Sequence, residues 1–237
     1  MKVLTRTIAS FWNSSIGKKL LVALTGIVLL LYLPAHLAGN LLVFAGPDAV
    51  NEYGVFLHDL GHGAAIWIAR AGLLAAFVVH VVLTIQLTAA NRAARTDYAY
   101  PSTVQASRSS RIMIWSGLTI LAFVIYHLLH FTVRIGNDFG GETYLTTLPG
   151  ESGNVHNVYK MMIDGFSWAP ASVFYIVALT LLCSHLSHGF ASIFQTLGIS
   201  SRKTNGLITK LGWAYALVIW LGFLSIPISI WLFGFGR

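Results

Sequence analysis

Five stretches of this 237-residue chain run for more than 20 residues almost without Lys, Arg, Asp or Glu, and nothing constrains its fold more. They are Leu20 to Ala45, Ala64 to Ala90, Ile112 to Val133, Ala169 to Leu197 and Leu211 to Phe235, with Arg70 the one charge among them. A helix of about 20 apolar residues crosses the hydrocarbon core of a bilayer, and inside it every backbone polar group must be satisfied by the segment itself. The expected fold class is therefore an all-α integral membrane protein, a five-transmembrane-helix bundle in which residues 1–237 form a single transmembrane domain. With 56% hydrophobic and 10% charged residues and a mean hydropathy of +0.71, the chain is far more apolar than an average soluble domain. The first stretch is longer than the roughly 7–15 apolar residues of a secretory signal, so it reads as an anchor that stays. Neither tail is long enough to bury a core of its own.

The charges assign an orientation, because Lys and Arg near span ends stay on the cytoplasmic side. One side receives Lys2, Arg6, Lys18, Lys19, Arg92, Arg95, Arg108, Arg111, Arg202, Lys203 and Lys210; the other receives only Arg70, Arg134, Lys160 and Arg237. The N-terminus is expected to be cytoplasmic, with the chain multi-pass in the cell inner (cytoplasmic) membrane. The formal charge of +7 does not point to nucleic acid, since the basic residues gather at membrane edges rather than on one recognition face. They offer an inner partner a basic surface. The single cysteine, Cys183, lies inside the fourth span. It can build neither a disulfide framework nor a Cys cluster, so any iron–sulfur centre belongs to a partner. The stretch from Arg134 to Trp168 is rich in Gly, Pro and Asn and reads as mostly irregular, with a short helix around His156 to Ile163.

Six histidines fall within spans: His36, His80, His127, His130, His185 and His188. Ionisable groups at membrane depth are costly and face the bundle interior, where function is the default reading. Spans one and three run outward and place His36 and His127 in the outer half; spans two and four run inward and place His80 and His185 in the inner half. Two pairs at two depths follow, separated by roughly 10 Å along the membrane normal. A haem iron takes two axial ligands on opposite faces of its ring, so the expected sites are two haems b, one between His36 and His127 and one between His80 and His185. His130 and His188 each follow a ligand candidate by three residues, and either could be the ligand instead. The pattern [ST]-G-x9-H occurs twice, as Thr25-Gly26 before His36 and Ser116-Gly117 before His127. Ten helical residues, about 15 Å, return Gly26 and Gly117 to the depth of the inner pair, where a missing side chain leaves room for a flat macrocycle; Gly72 is placed to serve the outer ring. His58, His62 and His156 lie between spans. The i, i+4 spacing of His58 and His62 suits a metal, but Gly61 and Gly63 interrupt the helix it needs. A haem-free transporter or proton channel with histidines as a relay is the alternative from another class, weakened by the lack of paired broken helices.

One His on each of the first four of five spans resembles the single-chain dihaem cytochrome b membrane anchor of succinate:quinone oxidoreductase and fumarate reductase. The likeness covers nearly the whole chain. Its specific stretches are Ser14-Ser15-Ile16-Gly17-Lys18-Lys19, His36-Leu37-Ala38-Gly39-Asn40-Leu41, Phe174-Tyr175-Ile176-Val177, His185-Leu186-Ser187-His188-Gly189 and Phe194-Gln195-Thr196-Leu197-Gly198. The resemblance implies haem ligation by His36, His80, His127 and His185, a flavoprotein with covalent FAD and an iron–sulfur subunit docked on the cytoplasmic face, and menaquinone or another quinone as acceptor near the outer side. It implies no succinate site in this chain. It points to His58 and Asp59 as quinone candidates, although His58 stands where the family can carry an acid. Lys160 and Arg134 are candidates for outer haem propionates, and Lys18, Lys19 and Arg111 for inner ones. Another respiratory dehydrogenase is the alternative partner, and a higher-order oligomer stays open.

Overall fold

The computed structural model describes residues 11–12, 14–94 and 113–237. Lys2, Arg6, Arg95, Arg108, Arg111 and Ile112 lie outside the described residues. The chain is about 80% helical and has five helices long and apolar enough to cross a membrane. Helix α1 spans Ser15–Leu41, with Ser14 as N-cap accepting from the Gly17 amide. A 3-10 turn over Leu42–Ala45 leads to α2, Pro47–Asp59. Helix α3 is Ala64–Ala93, and α4 is Met113–His127 continued by a π-helical turn over Leu128–Val133. An antiparallel hairpin of β1 (Leu145–Thr147) and β2 (Asn154–His156) precedes α5, Val158–Ser167. Helices α6 (Ala169–Thr196) and α7 (Asn205–Phe233) complete the chain.

The long helices start and stop close to the apolar windows, but α1 and α7 begin earlier than Leu20 and Leu211 because helical hydrogen bonding continues through polar residues that an apolar window rejects. The short helix expected around His156 to Ile163 is α5, and two features differ from the sequence expectation: the Arg134 to Trp168 stretch also carries the hairpin, and α2 forms directly after span one. Pro47 at the first helical position and Asp48 in the first turn are the local causes of α2, since proline lacks the N–H a helix start leaves unpaired and the acid meets the helix dipole.

The bundle has a tight side and an open side. Helices α6 and α7 pack closely through small residues, with Ala178 and Ala216 fully buried and Gly212 against Phe190 and the Ser187 carbonyl. Small residues at such a contact let two backbones approach without a hydrophobic driving force between them. Leu37 of α1 packs onto this pair with Leu186, Ala216 and Ile219. Pro34 interrupts the α1 ladder, which would leave the Leu30 carbonyl unanswered. Tyr215 of α7 donates its hydroxyl to that carbonyl at 2.5 Å, so the break in one helix becomes a pin to another. On the open side α3 packs chiefly along α1, and α4 along α6. The space they surround is the candidate site.

The connections after α1 and α4 collect at one end of the bundle. There Val43, Val50, Met162, Ile163, Phe166, Tyr175, Ile226 and Ile230 form the largest core cluster. Asn51, almost fully buried, accepts from the Tyr159 amide at 3.0 Å and donates to Asn157 Oδ1, which itself caps the Lys160 amide. Two asparagines thus satisfy adjacent orphan N–H groups of α5 and tie it to α2. Asn51→Ala is expected to destabilise this end by about 1–3 kcal/mol, the cost of leaving a buried donor unpaired. Thermal unfolding of the detergent-solubilised protein measures it, and an unchanged midpoint would show that α2 and α5 are held by apolar contact alone.

Candidate functional site

A mostly apolar cavity of about 2000 Å³ runs between α1, α3, α4 and α6. It reaches from Lys19, Thr88 and Gln195 at one end to His58, Asp59, Glu151 and His156 at the loop-rich end. Small-molecule sites usually enclose about 300–1,000 Å³, so the space suits a very large ligand or two. Protein interiors are close-packed, and an apolar void of this size between helices marks a place built for something.

Among the histidines on its wall are the four expected ligands, each on a different surrounding helix: His36, His80, His127 and His185. His36 and His127 face each other with ring centroids 5.8 Å apart and planes at 84°. Gly26 lies beside His80, where a Cβ would come within 3.4 Å of the imidazole, and Gly117 lies beside His185, where a Cβ would come within 3.6 Å. Because Gly26 and His36 are ten residues apart on one helix, the two histidine levels are about 15 Å apart along α1. Helical side chains tilt toward the N-terminus, and the two pairs sit on oppositely directed helices, so the rings lean toward each other and shorten that interval.

The protein holds Nδ1 of all four rings, and at His36 the Asn40 amide also lies 3.5 Å from Nε2. His36 Nδ1 meets the Tyr32 hydroxyl at 3.1 Å and the Asn40 amide at 3.3 Å, from one turn before and one turn after it. His80 Nδ1 lies 3.2 Å from both the Val22 carbonyl and Thr25 Oγ1. His127 Nδ1 lies 3.1 Å from the Tyr175 hydroxyl, and His185 Nδ1 lies 3.3 Å from Ser116 Oγ. For His80 the tautomer is decided, because a carbonyl can only accept and Nδ1 must carry the proton. Thr25 donates its own proton to the Leu21 carbonyl at 2.7 Å and Ser116 donates to the Met113 carbonyl at 3.0 Å. Both hydroxyls are therefore free to accept from Nδ1–H, which leaves Nε2 of His80 and His185 as a bare lone pair.

In the repeated Ser/Thr-Gly pair the hydroxyl thus holds an imidazole of the other level, and the glycine lies beside that same imidazole. Gly72 has no neighbour within 4 Å of a would-be Cβ.

The two ambiguous histidines part company in space. His130 is buried but does not line the cavity; it packs on Phe131, Phe139 and Tyr126. The cause is the π turn that begins after His127. Residues three apart in an α-helix lie about 60° apart around the axis, and the wider i→i+5 turn opens that angle. His188 does line the cavity, but no hydrogen bond holds its ring among the described residues. Among those residues no three of His, Cys, Asp or Glu converge as a metal-ion cluster requires.

At the loop-rich end Arg134, Arg70, Tyr53, His58, Asp59, Glu151 and His156 rim the cavity. Arg134 adopts a left-handed backbone conformation at the end of the π turn, and its buried Nε has no partner among the described residues. Lys160 instead bonds Asp164 at 2.5 Å beneath the Tyr144 ring and is not on the cavity wall. His58 ends α2 and His62 sits in a turn with positive φ, so the two do not share a helix face. At the opposite end Lys19 lines the cavity and Lys18 does not. Sequence reasoning missed Tyr32, Tyr175, Arg70 and Tyr53. Tyr32 and Asn40 stand four residues either side of His36 and were findable from helical spacing, whereas Tyr175 is 48 residues from His127 and carries no local signal.

No family model, curated protein or solved structure matches this chain.

Burial, with Arg134 and His58 nearby, pushes the His156 imidazole down from its ordinary 6.5 to about 4. Between those pH values the unfolded hairpin binds a proton that the folded one refuses, so stability is full above about pH 6.5 and falls as pH drops toward 4. The loop-rich end is expected to unfold at lower temperature at pH 5 than at pH 7, and His156→Gln to narrow the difference. An equal difference in the variant would place the effect on another group.

Proposed function

We propose that this chain is the dihaem cytochrome b anchor of a succinate:quinone oxidoreductase, with its N-terminus on the cytoplasmic side of the inner membrane. The observation that carries the proposal is the placement of His36, His80, His127 and His185 on the cavity wall, each held at Nδ1, with Nε2 of His80 and His185 left as a lone pair for a ligand. Metal-ligating histidines almost always have their other ring nitrogen fixed in this way. Two imidazoles on opposite sides of one metal, each bonded at about 2.0 Å, have ring centroids about 6 Å apart, close to the 5.8 Å between His36 and His127. Two-histidine levels suit a ligand that brings its own equatorial donors, as a tetrapyrrole does.

When bound, the haem pair supplies one-electron transfer across the membrane. His36 and His127 hold the outer site, His80 and His185 the inner one. Thr25, Ser116 and the Val22 carbonyl orient the inner imidazoles; Tyr32, Asn40 and Tyr175 orient the outer ones. Arg134, with its unpartnered Nε, and Arg70 are the cations on the wall that can neutralise outer propionates, in preference to Lys160, which Asp164 already engages. Lys19 serves the inner end. His58, Asp59 and His156 on the polar rim supply proton-exchanging groups beside an apolar cleft, as quinone reduction requires. Lys18, Lys19, Arg92, Arg202, Lys203 and Lys210 gather at the opposite end of the helices, which supports the orientation and a basic docking face for the flavoprotein and iron–sulfur subunits.

Purified protein should give a reduced b-type spectrum and two haems per chain by pyridine haemochrome assay. His80→Ala and His185→Ala should each leave one haem, and His188→Ala should leave both. Ser116→Ala, which strips the hydroxyl acceptor that His185 Nδ1 has, should weaken inner haem binding about 10–100-fold; Thr25→Ala should cost less, because the Val22 carbonyl remains. A chain that binds no haem would end the proposal in favour of a histidine relay. Co-purification with a flavoprotein and an iron–sulfur subunit tests the identity of the complex.

A further inference from the structure

His130 is buried and does not line the cavity; it packs on Phe131 of the wall, and the Tyr175 hydroxyl lies 3.4 Å from its Nδ1. The same hydroxyl lies 3.1 Å from His127 Nδ1. Tyr175 is itself 4% exposed, with Phe123, Tyr126, Phe131 and Phe166 packed around it. Those rings offer no competing carbonyl, so the phenol has two imidazole nitrogens to share and one proton to give. If Tyr175 donated to His127, the proton of that imidazole would have to sit on Nε2, pointing into the cavity. If it donates to His130, its oxygen is left to accept Nδ1–H of His127.

The far pair shows the same construction completed differently. Thr25 and Ser116 accept from an imidazole while giving their own protons to the Leu21 and Met113 carbonyls. At the His127 level no carbonyl among the described residues takes the phenol proton, and His130 stands in that position. The π turn puts it there: it swings His130 off the cavity face and onto the far side of Tyr175.

We propose that Tyr175 is a positioning residue for the outer haem, accepting the Nδ1 proton of His127, and that His130 sets its direction by taking the phenol proton. The proposal rests on the haem reading above. The chain of donors runs from His127 Nδ1–H to Tyr175 and from Tyr175 O–H to His130 Nδ1, so His130 carries its own proton on Nε2. An acceptor on Nδ1–H makes a ligating imidazole more basic and so favours the oxidised metal. Removing it should raise the potential of one haem alone.

The test is redox titration of the purified holoprotein, followed by absorption and by the low-spin resonance signals of the oxidised haems. Tyr175→Phe keeps the aromatic ring and removes the oxygen. It should retain two haems, raise the midpoint potential of one and change that haem's resonance signal, with the other haem at its wild-type values. His130→Leu should move the same haem, and His130→Gln, whose amide oxygen can accept the phenol proton, should restore it toward wild type. Wild-type potentials and spectra in Tyr175→Phe would overturn the role of Tyr175. A shift in Tyr175→Phe with none in His130→Leu, or equal shifts in His130→Leu and His130→Gln, would overturn the role of His130. A wild-type chain without haem would overturn the haem reading itself, and is seen before any variant is compared.

Discussion

An imidazole buried between apolar helices has one N–H and one lone pair, and an unanswered polar group at that depth is expensive. In this bundle the protein answers Nδ1 of four cavity-lining rings, and for His80, His127 and His185 no partner holds Nε2 among the described residues. A histidine that serves only to join helices would use both nitrogens. On the haem reading proposed above, the remaining bonds would come from the ligand in the cavity.

Holding that cavity open requires rigidity elsewhere. Helix α7, which carries no histidine, is fastened to α6 through Ala178, Ala216 and Gly212 and to α1 through Leu37 and the Tyr215 bond to the Leu30 carbonyl. At the loop-rich end the asparagine caps and the aromatic cluster around Phe166 fix α2 and α5 across the mouth. Helices α3 and α4 have much of their surface in contact with neither neighbour nor core, and Leu83 is the only buried side chain of α3 among the described residues. The chain thus divides into a close-packed bracket and two helices whose inner faces line the cavity. Stability concentrated in the bracket is what allows the rest to remain unfilled.

Much of this was legible in the sequence, for reasons that can be assigned to particular residues. Charge-free length fixed the five helices, and the alternation of helix direction sorted His36 with His127. The offset of ten residues put Gly26 beside His80 and Gly117 beside His185. Other features had no linear signature. Periodicity assumes 3.6 residues per turn, so the π turn after His127, which moves His130 off the cavity face, could not be read from spacing. The hydroxyls of Thr25 and Ser116 were overlooked because a glycine draws attention to space, while the bond each hydroxyl makes is to a residue more than 50 positions away. Lys160 and Arg134 were equivalent as charges in sequence; only packing distinguishes a cation engaged with Asp164 from one whose Nε is free.

The two levels are also coupled through the chain. Thr25 precedes His36 and Ser116 precedes His127 by eleven residues, about three helical turns, so each pair shares a helix face. Consequently α1 and α4 each carry a histidine of one level and the hydroxyl that orients a histidine of the other. Helix α6 does the converse, with Tyr175 supporting His127 and His185 belonging to the opposite level. A displacement of α1 along its axis would therefore move His36 and the acceptor of His80 together, and one of α6 would move His185 and the acceptor of His127. Neither level can be rearranged while the other stays fixed. The interlocked supports keep a constant distance between the two levels, the quantity on which electron transfer between the two proposed haems would depend most steeply.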